Sequence, residues 1–493
     1  MNHSSSLPFG QFQDFTSIRG PTYVTAQTLI QHVAYALSDK LFTYSPHDFD
    51  LDVAVKDWSS KSEPNSHGYP TSVHPMQVRN GAGSIALGYM FSNDFDLKKR
   101  HIPQTFLASS SSLQFLRQAL EQLSLLYSVA NPFVAHVAAA DYVGGSSGGL
   151  VTDYSTALSV AEELGFGLVS SFSAYEAQHM SLLSTLLADV LPTLHIYDGV
   201  KVGRETTRVI DVLDQSGLSS AYKAIQNQLA GPDGKHVDNE GKLIRLLKAF
   251  NDELGTEYGL FEYHGHPLPD AVLVSFGTVE SSLTSQVASS LAKDGHKVGV
   301  INVRVYRPFV EEEFLRAFPK SVKTVGVLGQ VHDQQSIRDS GLHSNLYSDV
   351  LAAFTFADEW NELPTILDMK YSRDYRWTPI STAAAFQLVL KKPVLQGEEP
   401  QQTPTHPPLQ ILDPEETQQY TFWDVDDSPA AHASVILGQA LAKDSASNVT
   451  TSTSHDNISQ GGSARTDIRK SARTLEAPYS IDSADTVFVG DDR

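Results

Sequence analysis

The stretch that decides the fold is DAVLVSFGTVESSLTSQVASSLAKDGHKVGVINV, residues 270–303. It opens with Asp270–Phe276, a continuous apolar run typical of a strand that is covered on both faces. Gly277 then turns the chain into a predicted helix, Glu280–Lys293. Lys297–Val303 is a second apolar run. A strand, a helix and a strand in this order predict a βαβ unit, which places two parallel strands in one sheet.

The same alternation extends in both directions from this unit. Further predicted strands, separated by predicted helices, are Gln104–Ser110, Asn131–Ala140, Gly167–Phe172, Pro192–Tyr197 and Lys323–Leu328. We therefore predict an α/β protein with two parallel-sheet domains in series. The first domain covers residues 21–255, including a charged helical connector, and the second covers 265–392.

The flanking regions have a different composition. Residues 1–20 are predicted to be a frayed lead-in, and 393–493 a linker and a partly disordered tail. Within that tail, 392–414 is rich in Pro and Gln and 443–475 is rich in Ser and Thr, so both are predicted to be disordered. Thr22–Leu41 has helical spacing throughout, and the polar segment from 57 to 75 is predicted to be a loop. The closing residues 486–493 resemble the first strand of a further unit, as in an N-terminal piece of a longer product.

Charge and cysteine content exclude several functions. The chain has 36 Lys and Arg against 57 Asp and Glu, a net charge of −21, which argues against nucleic-acid and anionic-membrane partners. It has no cysteine, so it can hold no disulfide, thiolate nucleophile or all-protein iron–sulfur cluster. No signal peptide or long apolar run is evident, and we expect a cytoplasmic protein.

Candidate site residues lie mainly where predicted parallel strands end, because open α/β sheets bind ligands at that edge. These residues are Ser109, Asp141 and Asp198. The motif at residues 81–86, GAGSIA, matches the relaxed dinucleotide pattern GxGxxA, but a Pro-containing stretch precedes it. Close helix packing is therefore the favoured interpretation of this motif. His136, inside an apolar strand, is interpreted as a satisfied core histidine and not as a catalytic base.

Several stretches resemble the pyruvate:ferredoxin oxidoreductase family. They include RNGAGSIALGYM from Arg79, NPFVAHVAAADYV from Asn131, and the segments VSFGTVE and GVINVRVYRPF between residues 274 and 309. The first two resemble the family's pyrimidine-binding domain and the others its transketolase C-terminal-like domain. The N-terminal stretch from Gly20, GPTYVTAQTLIQHVAYALSDKLF, narrows the resemblance to the N-terminal region of fungal NADPH-dependent sulfite reductase flavoprotein (alpha) components.

This resemblance implies particular cofactors and a particular partner. In that family such a region precedes FAD- and NADPH-binding domains, which pass electrons towards a sirohaem-containing sulfite reductase beta subunit. FAD and NADPH are therefore implied for downstream domains, and none is expected on this chain, which has no motif for either. The implied role is a module of assimilatory sulfite reduction that serves assembly.

Departures from the thiamine-dependent members point the same way. The acidic residue that activates thiamine diphosphate is matched here by Arg79 and Asn80, neither of which can share a proton with the aminopyrimidine. The family's arginine after the Ala-rich strand is replaced within residues 138–141, AAAD. We therefore expect a vestigial cleft around Asn80, Gly81 and the strand-end residues, with no catalytic residue and no metal. The alternatives are a thiamine diphosphate-dependent 2-oxoacid:ferredoxin oxidoreductase subunit and a nucleotide-binding domain that uses Gly81.

Overall fold

The computed structural model describes residues 6–46, 49–91, 99, 101–143, 149–230, 237–355, 357, 360, 362–394, 409, 411–425, 428–455 and 462–490. These residues form three units, each built on its own sheet. Two of the sheets are mainly parallel and the third is mainly antiparallel.

The first unit has strands and helices in close alternation. Its strands are β1 (Thr22–Thr25), β2 (Lys40–Tyr44), β3 (Ser72–Pro75), β4 (Gln104–Ser109), β5 (Phe133–Ala139), β6 (Asp141–Val143), β7 (Gly149–Val151), β8 (Gly167–Ser170), β9 (Thr193–Asp198) and β10 (Thr206–Val209). Its helices are α1 (Ala26–Leu37), α2 (Val53–Ser60), α3 (Ser84–Phe91), α4 (Ser110–Leu125), α5 (Ser155–Leu164), α6 (Ala177–Leu187), α7 (Gln215–Leu229) and α8 (Asn239–Leu254).

The second unit follows α7 and α8, which form the predicted helical connector. Its strands are β11 (Phe261–Gly265), β12 (Ala271–Ser275), β13 (Val298–Val303), β14 (Val305–Arg307), β15 (Thr324–Val331) and β16 (Thr365–Ser372). Its helices are α9 (Thr278–Lys293), α10 (Glu311–Ala317), α11 (Gln334–Arg338), α12 (Asn345–Thr355) and α13 (Pro379–Leu390). Parallel pairing of β12 with β13 and β15 confirms the βαβ unit predicted from residues 270–303.

Burial explains the apolar runs of the two parallel sheets. Every residue of β5, β9, β12 and β13 is buried, because helices cover both faces of each sheet. The strand order is β14-β8-β9-β5-β4-β2-β3 in the first sheet and β11-β13-β12-β15-β16 in the second. The prediction of two parallel-sheet domains in series is confirmed, with one exchange between them. β14 belongs to the second domain in sequence but pairs antiparallel with β8 of the first sheet.

The structure contradicts the predicted disorder of 443–475. β17 (Thr417–Val425), α14 (Pro429–Ala442), β18 (Asn448–His455), β19 (Ser463–Ser471) and β20 (Thr486–Val489) form a third unit. Its sheet has the order β1-β10-β18-β19-β17-β20, so it recruits two strands of the first domain. The apolar residues of this Ser/Thr-rich segment are few, but Val449 and Ile468 pack with Phe422 from outside it. The β-branched threonines of β18 also favour extended backbone. Residues 395–408, in the other predicted disordered stretch, lie outside the described residues.

Three local predictions were also wrong. Thr22–Leu41 is not one helix, because β1 precedes α1 and β2 follows it. The predicted loop at 57–75 contains the end of α2 and all of β3. The lead-in is not frayed where it is described: Phe15 is fully buried, and its ring contacts Tyr35 and Trp58. Aromatic packing over distant residues gives no local sequence period, so the pattern could not reveal it.

No helix in the described part of the chain is both long and apolar enough to cross a membrane. Across those same described ranges, no three metal-ligating side chains come together.

Candidate functional site

Three of the five candidate residues meet at the carboxyl edge of the first sheet. Ser109 at the end of β4 lies opposite Ala138 of β5, and Asp198 at the end of β9 lies opposite Ala139. Asp141 lies two positions after Ala139, the last residue of β5. Asn80 and Gly81 are not part of this group. They are exposed in the loop after β3, the outer strand of the sheet, and β2 separates that strand from β4.

The carboxylate of Asp198 accepts hydrogen bonds from other groups of the protein. It is buried and accepts hydrogen bonds from the backbone N–H groups of Val200, Lys201 and Val202 at 3.0, 3.1 and 2.7 Å. It also accepts from the Thr152 hydroxyl at 3.0 Å. The carboxylate therefore fixes the turn after β9 and has little capacity left for a ligand.

Asp141 is held by the second domain. Arg373, which follows β16, donates from Nη1 to Asp141 Oδ2 at 2.5 Å and to Asp153 Oδ2 at 3.4 Å. Asp153 in turn accepts from the hydroxyls of Ser155 and Thr156 at the start of α5. One arginine thus satisfies two carboxylates of the first domain and joins the two domains.

Ser109 is part of the start of α4. Its backbone N–H donates to Ser112 Oγ at 2.9 Å, and its own Oγ lies 2.7 Å from Ser111 Oγ. The space beside these serines is closed. A methyl group added at Gly199 would come within 2.6 Å of Ala138 Cβ, and Ala139 and Ala140 are fully buried. The Ala-rich strand end is therefore packed, where the family resemblance implied an arginine facing a substrate.

The glycine motif packs a helix. Gly83 has φ +88°, and a Cβ there would stand 2.5 Å from Ala119 Cβ and 3.3 Å from Leu116. α3 therefore approaches α4 through small residues, as predicted. A strand, β3, does precede the motif, but it ends at Pro75, and a Cβ added at Gly81 would meet no other heavy atom within 4 Å.

His136 is a core histidine, as predicted. It lies opposite His195 in the sheet, with the two Nδ1 atoms 3.1 Å apart, and His195 Nε2 lies 2.7 Å from Ser171 Oγ. Burial lowers the pKa of His136 to about 3 and lowers the pKa of His195 as well.

A buried tyrosine cluster joins the strand-end edge to the second domain. The Asp198 backbone N–H donates to Thr278 Oγ1 at 2.9 Å, and the Thr278 N–H donates to Tyr154 Oη at 2.9 Å. Tyr371 Oη donates to Glu280 Oε1 at 2.9 Å. Burial raises the pKa of Glu280 to about 8, so this carboxyl is protonated at neutral pH.

Gly277 is the residue that makes room for this cluster. Its φ is +112°, and a Cβ there would lie 2.6 Å from the Tyr154 ring and 2.8 Å from Glu280 Oε2. The sequence singled out this turn for its role in the fold, but nothing in the pattern indicated that its neighbours form a contact between domains.

A second cluster at the domain boundary surrounds Arg304, which is 1% exposed. Its guanidinium donates to Glu176 Oε1 at 2.6 Å and to Glu262 Oε1 at 2.7 Å. It also stacks on the rings of Phe172 and Tyr258 at 4.1 and 4.8 Å. The sequence did not indicate this residue, because nothing in the local motif VRVYRPF distinguishes the buried Arg304 from an arginine on the surface.

Comparison with known proteins gives relatives of two kinds. The chain is 27% identical over 378 residues to the sulfite reductase [NADPH] flavoprotein component of Saccharomyces cerevisiae, covering 76% of this chain and 33% of the relative. It is 27% identical over 387 residues to a putative pyruvate-flavodoxin oxidoreductase of Synechocystis, covering 71% of this chain and 30% of the relative. No family model matches the chain.

A solved 2-oxoglutarate:ferredoxin oxidoreductase from Magnetococcus marinus superposes with a TM-score of 0.44 at 12% identity, covering 76% of this chain and 66% of that one. The sequence relatives, and not this superposition, confirm the resemblance drawn from the sequence: the chain is similar to oxidoreductases of the pyruvate:ferredoxin type. More particularly, it is similar to the sulfite reductase flavoprotein component of yeast, and it spans about a third of the length of the curated relatives described above.

Proposed function

We propose that this chain is the N-terminal module of an assimilatory NADPH sulfite reductase flavoprotein component. In this proposal it performs no chemistry at its strand-end edge and serves assembly with the sirohaem-containing beta subunit in the cytoplasm. FAD and NADPH would be bound by downstream reductase domains, and by no residue of this chain. The similarity to the yeast flavoprotein component supports this assignment.

One observation carries the proposal. At the edge where open α/β sheets bind ligands, the carboxylates of Asp198 and Asp141 are satisfied by backbone amides and by Arg373. The wall between them is packed alanine and glycine. A site that is filled by the protein's own contacts supports a structural role better than a catalytic one.

The acidic surface is the second support. A net charge of −21 favours docking to a basic face of a partner, and such docking is weakened by salt. We expect the purified chain to co-elute with the sirohaem-containing beta subunit at low ionic strength. The complex should weaken as sodium chloride is raised.

The alternative function is a thiamine diphosphate-dependent 2-oxoacid oxidoreductase subunit, which the similarity to pyruvate-flavodoxin oxidoreductases favours. Calorimetric titration with thiamine diphosphate and Mg²⁺ separates the two. No heat of binding, together with complex formation with the beta subunit, is the expected result. Saturable micromolar binding that Asn80→Ala abolishes, with no complex at any ionic strength, would overturn the proposal.

A further inference from the structure

A polar cleft of about 400 Å³ opens between the first and second domains, at the carboxyl end of β15. One wall is formed by α4 and α5, and the other by the chain that follows β15 and leads into α12. Side chains with hydrogen-bonding groups dominate its lining, and those used below are Arg117, Glu163, His332, His343 and Ser344. None of them belongs to the strand-end group around Asp198.

His343 is oriented by the partly buried carboxylate of Asp368. Its Nδ1 lies 3.1 Å from Asp368 Oδ2, and Asp368 also accepts from Ser344 Oγ at 2.9 Å. The His343 side chain is 52% exposed and that of Asp368 is 10% exposed. A carboxylate only accepts hydrogen bonds, so Nδ1 carries the hydrogen. When the ring carries this single hydrogen, Nε2 is a hydrogen-bond acceptor.

His332 has the same Nδ1–H tautomer, but the protein engages its other nitrogen, Nε2. Arg373 donates from Nη2 to His332 Nε2 at 3.2 Å and from Nε to the His332 carbonyl at 3.0 Å. A guanidinium cannot accept a hydrogen bond, so Nε2 of His332 carries the lone pair and Nδ1 carries the hydrogen. The cleft is therefore lined by one imidazole with an acceptor available and one with a donor available.

A cation and a braced loop complete the lining. Arg117 of α4 pairs with Glu163 of α5, and both side chains are about half exposed, so the guanidinium is accessible to a competing anion. Lys370 of β16 donates to the carbonyls of Ser336, Asp339 and Leu342 at 3.0, 2.5 and 2.8 Å. This lysine holds the loop that forms the far wall, so the cleft exists before any ligand arrives.

We propose that this cleft binds a small organic oxyanion that carries a hydroxyl group. Arg117 and the Nδ1–H of His332 receive the oxyanion, and Nε2 of His343 accepts a hydrogen bond from the hydroxyl. Either a phosphate ester or a hydroxycarboxylate provides this chemistry. The proposal is independent of the assembly role and of the beta subunit.

The test is calorimetric titration of the whole chain with glycerol 3-phosphate and, separately, with L-lactate. We expect at least one of the two to saturate, and the one that binds identifies the source of the oxyanion. Glycerol lacks the anion and inorganic phosphate lacks the organic hydroxyl, so each should bind at least about tenfold more weakly. Equal affinity for inorganic phosphate and glycerol 3-phosphate would contradict the role of His343.

Variants locate the site. Arg117→Gln and His343→Asn should each weaken binding about tenfold, because each removes one charged or oriented partner. The matched control is Arg316→Gln, since Arg316 forms a comparable exposed pair with Glu313 outside the cleft. That variant should bind as the unaltered chain does. Failure of both probes to saturate at about 10 mM, or equal losses in Arg117→Gln and Arg316→Gln, would overturn the proposal.

Discussion

Two regions at the boundary between the first and second domains lie at the carboxyl ends of parallel strands, and their polar groups are used in opposite ways. At the end of β9, the carboxylate of Asp198 accepts hydrogen bonds from backbone amides. The neighbouring alanine-rich end of β5 is packed against Gly199. At the end of β15, His332 and His343 line an open cleft, each with one ring nitrogen engaged by the protein. The same position in an α/β sheet can therefore be closed or open, and the hydrogen-bond partners of each side chain decide which.

The largest effect is expected where the boundary is most deeply buried. Arg304→Met removes the charge that faces Glu176 and Glu262 and leaves the buried carboxylate of Glu176 and the partly exposed one of Glu262 without their cation. Breaking a buried ion pair from one side costs about 3–5 kcal/mol of unfolding free energy. Urea unfolding at pH 7 measures this loss. A change as small as that of Arg316→Gln, an exposed pair, would show that the boundary does not depend on Arg304.

The next effect tests the closed region directly. Asp198→Ala leaves three backbone N–H groups without their acceptor, and we expect a loss of about 2–3 kcal/mol. Asp198→Asn keeps one oxygen acceptor and should lose about 1 kcal/mol. Chemical denaturation of both variants compares them. If both variants were as stable as the unaltered chain, the carboxylate of Asp198 would be available to a ligand. The two regions would then not differ in how their polar groups are used.

Glu280 adds a dependence on pH. Its pKa of about 8 in the folded state lies above that of a carboxyl in the unfolded chain, so the folded protein retains a proton that the unfolded chain releases. Stability contributed by this group is complete at acidic pH and is lost as the pH rises towards 8. Between pH 6 and 8, the unaltered chain should lose about 1 kcal/mol per pH unit relative to Glu280→Gln. If the unfolding free energies of the two proteins changed equally with pH across this range, the assignment would be contradicted.

The smallest effect comes from the residue that contacts both regions. Arg373 bonds Asp141 at the closed edge and His332 at the cleft. Arg373→Gln should cost about 1 kcal/mol of unfolding free energy, because Asp141 is partly exposed and can be solvated, and Asp153 keeps its hydrogen bonds from Ser155 and Thr156. It should weaken glycerol 3-phosphate binding more than Asp141→Asn does, since only the arginine fixes the His332 tautomer. Equal binding by the two variants would separate Arg373 from the cleft.

The sequence predicts best what is local. The buried runs and the turn at Gly277 predicted the parallel units, because an apolar strand covered on both faces leaves a continuous signal. Ser109, Asp141 and Asp198 lie at one edge of the first sheet, because parallel strand ends share an edge. Asn80 and Gly81, which were predicted to line a cleft with them, lie in the loop after β3. Their occupation by protein groups could not be predicted, because Arg373 comes from more than 200 residues away.

The third unit was missed for the same reason. Val449 and Ile468 look isolated in a Ser/Thr-rich segment, and they become a core only when Phe422 and Tyr23 pack beside them. The cleft was missed because His343 and Asp368 are separated by 25 positions and have no motif spacing.

The exchanged strand β14 has a consequence for synthesis on the ribosome. The edge of β8 in the first sheet is covered by Val305–Arg307, which leaves the ribosome long after β8 itself. One edge of β10 stays unpaired for longer, because the strand that covers it, β18, begins at Asn448. A nascent chain that has emerged as far as α8 therefore exposes two unpaired strand edges, and such edges invite aggregation. The first domain reaches its finished form only after Asn448–His455 has been made.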